Sequence, residues 1–106
     1  MQVLKPPHRS YDSRESSIFL AGETRTIPLG VGTPMAAEVN LIVVTPLGNG
    51  YLSVWGSGAR PLASAVNYSA GYDNANAVIT EVSNGSVQIY AHAVCHLVVD
   101  VYAVWP

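Results

Sequence analysis

Charge is scarce in this chain. Lys, Arg, Asp and Glu together make up 11 % of its 106 residues, against roughly 25 % in an average globular domain. The five basic residues are scattered and form no run. The positive stripe that phosphate neutralisation needs is missing, which excludes nucleic acid as an expected partner. Cysteine is reduced to Cys95, so no internal disulfide can form, as suits folding without oxidation. Long apolar runs are missing as well. The longest, Val39–Val44 and Leu97–Trp105, fall far short of the ~20 residues of a membrane-crossing helix, and no membrane partner is expected. Met1-Gln2-Val3-Leu4-Lys5-Pro6-Pro7 has no long apolar stretch behind a basic start, so no secretory signal is expected. The sequons Asn67-Tyr68-Ser69 and Asn84-Gly85-Ser86 then read as chance matches.

Apolar residues are plentiful, at 49 %, enough for the core of one domain. The charge deficit leaves two kinds of surface: a neutral one rich in Ser, Thr, Asn and Gly, or one partly covered by other protein. No stretch repeats apolar positions at helical spacing over several turns, whereas β-branched residues and glycines alternate at short intervals. Strands are predicted over Glu23 to Leu29, Ala36 to Thr45, Tyr51 to Trp55, Ala65 to Tyr68, Ala75 to Val82, Val87 to Ala91 and Val94 to Trp105. Pro28 pushes the first of these to a sheet edge. Asn49-Gly50 and Asn84-Gly85 each predict a tight hairpin. The expected fold is all-β: an antiparallel β-sandwich of about seven to eight short strands over residues 9–106. Residues 1–8 are expected to form an extended N-terminal arm, because Pro6-Pro7 resists helix.

The chemistry-bearing residues do not assemble into a recognisable site. His92 and His96 share a strand face at even spacing while Cys95 points the other way, so a zinc site lacks its third ligand. His96 and Asp100 share a face but lie about 13 Å apart along a strand, too far for a triad. No Gly-x-Ser-x-Gly elbow occurs, and the pairs Gly30-x-Gly32 and Gly56-x-Gly58 open no nucleotide loop. No catalytic residue, metal ligand or cofactor is expected. Tyr51, Trp55, Tyr68, Tyr72, Tyr90, Tyr102 and Trp105 read either as core and rim of the sandwich or as a sugar-stacking face.

Asp100 stands out, a carboxylate inside the apolar run His96 to Trp105. A buried carboxylate needs a partner, and Arg9 and Arg14 are the obvious donors. Asn40, Asn67 and Asn76 sit in strand-like settings where their amides should bond backbone. With Arg9, Asp12, Arg14 and Asp100 they form an expected polar framework that fixes the fold.

Arg9-x-x-Asp12-Ser13-Arg14 resembles the Arg-x-x-Asp-Thr-Arg opening of a β-rich domain of actinobacterial surface and secreted proteins, similar to modules in structural proteins of phages infecting those bacteria. The resemblance continues through Glu38–Val44, Gly50–Trp55, Arg60-Pro61, Ser64–Tyr68, Ala75–Ile79 and His96–Val101. It departs at the end, where Asp100-Val101-Tyr102-Ala103-Val104-Trp105 replaces Asp-Val-x-Gly-Tyr-Phe, so the final strand should run on. The resemblance implies a non-enzymatic virion protein of an actinobacteriophage, assembled in the host cytoplasm. A capsid decoration protein comes first and a minor tail protein next. Its implied partners are itself, as a homo-oligomer, and other virion proteins such as the major capsid protein. Pro6, Pro7, Tyr102 and Trp105 are the expected interface. A carbohydrate or cell-envelope binding module is the alternative.

Overall fold

The computed structural model describes residues 1–106. Eight strands fold in sequence as β1 (Gln2–Asp12), β2 (Glu23–Pro28), β3 (Ala36–Val44), β4 (Gly50–Trp55), β5 (Val66–Tyr68), β6 (Asn74–Glu81), β7 (Ser86–Ala91) and β8 (His96–Trp105). They form two four-stranded antiparallel sheets, ordered β1-β8-β3-β6 and β2-β7-β4-β5. The pairs β1·β8, β2·β7, β3·β6 and β4·β5 nest inside one another. The chain is thus one long folded ribbon rolled into a sandwich, the eight-stranded jelly-roll arrangement.

Period-two patterning creates the core. Ala37, Val39, Leu41 and Val43 of β3 and Val87, Ile89 and Ala91 of β7 enter one core from opposite sheets, and all are fully buried. Leu97, Val99 and Val101 of β8 point inward; a bulge at Tyr102 then shifts the phase so that Val104 also reaches the core. Both neighbours of β8 register this bulge. Glu38 pairs with Ala103 and Val39 with Val101, while on β1 the whole stretch Leu4–Pro7 bows out between Val3↔Ala103 and His8↔Val101.

Two expectations are corrected here. Residues 1–8 are extended, but not as a separate arm: from Gln2 onward they belong to edge strand β1, and the proline pair is accommodated in its bulge. Asn49-Gly50 makes no hairpin, because β3 and β4 lie in different sheets and residues 45–49 cross between them. Asn84 (φ 51) and Gly85 (φ 75) do make a tight turn closed by Ser83 and Ser86, yet the strands on either side diverge into opposite sheets. Pro28 does lie on an edge strand, opposite Ser86.

Candidate functional site

The expected framework separates into three groups. Arg9 lies directly opposite Asp100 and grips it with two bonds, Nε to Oδ1 at 2.9 Å and the second guanidinium nitrogen to Oδ2 at 3.2 Å. This pair sits on the outer face of the sheet. The Asp100 side chain is 16 % exposed and that of Arg9 is 55 % exposed, so the carboxylate is largely covered, but on the outer face and not in the core as expected. Asn40 is its cross-strand neighbour on the same outer face and makes no side-chain bond. The second group is Asp12 with Arg14. Asp12 caps the 3-10 turn Ser13–Glu15 by accepting the Arg14 N–H, and takes two more bonds from the Arg14 guanidinium. Those bonds hold the Asp12 carboxyl down to about 2, against an ordinary 3.8. The third group bridges the exposed edges of the two sheets, where Asn76 of β6 donates to the carbonyl of Ala65, just before β5, as expected of it. Asn67 contributes its backbone carbonyl, which accepts from Asn74, and its own amide is exposed.

The densest polar cluster was not among the expected residues. Arg25 points inward from β2 and spends all five of its N–H groups. Nε and one terminal nitrogen hold Glu23; the terminal nitrogens also reach the Tyr11 hydroxyl and the carbonyls of Ser17 and Ile18. The guanidinium also lies over the Phe19 ring. The hydrogen bond from Arg25 holds the Glu23 carboxyl below its usual range. Ser13, fully buried, forms a further lock: its Oγ accepts the Leu97 N–H at 2.8 Å and meets His96 Nδ1 at 2.9 Å. This serine–histidine pair ties the segment after β1 to the start of β8, and burial shuts its oxygen away from any substrate. His92 is not on the strand that carries His96; it opens the loop that follows β7 and stacks on Tyr51 at 5.0 Å. Cys95 is buried beside Tyr68, and desolvation pushes its thiol pKa up.

The two outer faces differ in kind. On β1-β8-β3-β6, the outward positions include Val3, Ala36, Ile42, Ala75, Ala77 and Ile79. Ile79 is 65 % exposed and Val3 52 %. Pro6 and Pro7 lie exposed in the β1 bulge opposite Tyr102, and Trp105 is half-buried beside Ala36. Pro6, Pro7 and Tyr102 thus sit at one irregularity, while Trp105 lies three residues beyond it at the end of β8. The face of β2-β7-β4-β5 is aromatic and polar. Tyr51 meets Tyr90 at 5.9 Å, Arg60 covers the Tyr90 ring at 3.7 Å, and Trp55 pairs with Gln88. Beside Trp55 opens a cleft of about 360 Å³ whose nine lining residues include one hydrophobic side chain. Compared with protein-family models, with curated proteins and with solved structures, the chain matches none.

Proposed function

We propose that this chain is a non-enzymatic structural protein of an actinobacteriophage particle, a capsid decoration protein first and a minor tail protein next. It assembles in the host cytoplasm, with copies of itself and with other virion proteins such as the major capsid protein. The phage attribution rests on the resemblance of Arg9–Arg14 and the strand motifs after it. The eight-stranded roll supports it by analogy, since viral capsid domains use this architecture, as lectins do.

The observation that carries an assembly role is strand β6. Three of the four sheet edges carry protective devices: β1 is bulged and holds Pro6 and Pro7, β2 ends in Pro28, and β5 is only three residues long. The fourth edge, β6, runs eight residues with Glu81 as its one charge and no proline. Its own outward positions include the apolar Ala75, Ala77 and Ile79. Such an edge is a template for pairing with another chain.

The test places a charge there. Ala77→Lys and Ile79→Lys should leave the far-ultraviolet circular dichroism and melting temperature near wild type, yet abolish oligomers in light scattering and binding to phage shells. A wild-type protein that is monomeric and ignores shells overturns the reading. A second reading, binding of carbohydrate or cell-envelope material, is favoured by the aromatic and polar face of the other sheet.

A further inference from the structure

We infer that the cleft between Trp55 and the Asn84-Gly85 turn is a subsite for a neutral sugar ring of a glycan. This inference rests on the second reading above and gives it a location. Trp55 closes β4, and its indole N–H donates to the Gly58 carbonyl at 3.1 Å. The ring is therefore fixed before any ligand arrives, which lowers the ordering cost of binding. Tyr90, the next aromatic on the face, already has its ring covered by Arg60. Trp55 is the ring that lines the cleft.

Polar groups around the ring are neutral and set in complementary senses. Thr26 Oγ donates to Gln88 Oε1 at 2.9 Å, which leaves the Gln88 amide N–H groups free to donate outward and the Thr26 oxygen free to accept. Ser57 Oγ donates to Glu81 Oε1 at 2.9 Å, so its lone pairs also face a ligand as acceptors. Gly56 lets this pair form: a Cβ there would lie 2.6 Å from Glu81 Oε1. Asn84, at the turn tip with φ 51, adds both a donor and an acceptor. A sugar hydroxyl both donates and accepts, so mixed groups beside a flat apolar ring suit a pyranose or furanose. A nucleotide would stack equally well, but its phosphate needs a cation, and no Lys or Arg lines the cleft.

The test titrates the wild type and the variants Trp55→Ala, Trp55→Phe and Gln88→Leu with cellohexaose, mannohexaose, chitohexaose, arabinohexaose and an anionic heparin hexasaccharide. Binding is read by nuclear magnetic resonance shifts and by pull-down on purified bacterial cell walls. A neutral oligosaccharide should shift the Trp55 indole and Gln88 side-chain signals. Affinity should fall roughly tenfold or more in Trp55→Ala and Gln88→Leu, and less in Trp55→Phe, which keeps a ring. The heparin fragment should not compete. If the wild type binds a glycan and the folded variants bind it equally, the subsite is wrong and the glycan reading stands. If the wild type binds none of the sugars and no cell wall, both fall.

Discussion

The guanidinium carbon of Arg25 lies 4.2 Å from the centre of the Phe19 ring, while the same side chain holds the carbonyls of Ser17 and Ile18. Phe19 is fully buried and bridges to Cys95, the residue before β8. One cation thus pins the irregular segment between β1 and β2 against the core from both its backbone and its ring. Arg25→Met keeps the stem but strands two carbonyls and the Glu23 carboxylate. A fully buried pair broken this way costs about 3–5 kcal/mol. Here the Glu23 side chain is 32 % exposed and water can reach it. The expected loss is therefore about 2 kcal/mol in urea unfolding. Arg25→Lys should recover only part of it, because an ammonium cannot serve five acceptors from one plane. A midpoint unchanged in Arg25→Met would show that the segment holds without it.

The pair formed by Arg9 and Asp100 behaves differently. Its geometry is two-pronged, but the Arg9 side chain is more than half exposed. Exposed pairs gain little, because water and salt screen them. Arg9→Ala and Asp100→Ala should each lower the melting temperature far less than Arg25→Met does. Whatever difference they show should shrink in about 1 M salt. A large loss in either variant, insensitive to salt, would mean the outer face is covered in solution.

Acid should weaken the fold through Asp12 and Glu23. Both carboxyls titrate lower in the folded chain than in the unfolded one, because Arg14 and Arg25 donate to them. A depressed carboxyl stabilises the fold above its unfolded pKa, and that contribution is lost as pH falls through the folded value. For Asp12 the loss runs from near 3.8 down to about 2. The melting temperature of the wild type should drop over that interval. Asp12→Asn should start lower at neutral pH and fall less steeply; parallel wild-type and variant curves would count against the Arg14 contact.

Strands were legible in the sequence because one side of each is buried, and burial writes a period of two into β3 and β7. Pairing partners were not. Asn49-Gly50 and Asn84-Gly85 are the same dipeptide, yet only the second has both residues at positive φ. A local turn signal cannot say whether the next strand stays in the sheet or crosses to the other. The N-terminal proline pair is a similarly local signal, since a bulge lets an edge strand carry prolines that a central strand refuses. Asp100 is a charge amid apolar residues, but its neighbours Val99 and Val101 face inward, and strict alternation puts Asp100 outside. The same alternation placed Arg25 on the face of buried Ile27, with Glu23 two residues before it. That inward Glu-x-Arg was the available signal for the central cluster.

Ser13 carries the last prediction. Its Oγ accepts the Leu97 N–H and bonds His96 Nδ1, and the residue has no exposed surface. Ser13→Ala removes the acceptor and leaves the Leu97 N–H unpaired in the interior, at a cost of about 1–3 kcal/mol. The variant should also speed hydrogen exchange at Leu97 relative to the middle of β3, because the start of β8 loses its tie to the segment after β1. Ser13→Thr keeps the oxygen and should restore the protection even if the extra methyl lowers the melting temperature. If exchange at Leu97 is the same in Ser13→Ala and in the wild type, strand pairing alone fixes that end of β8.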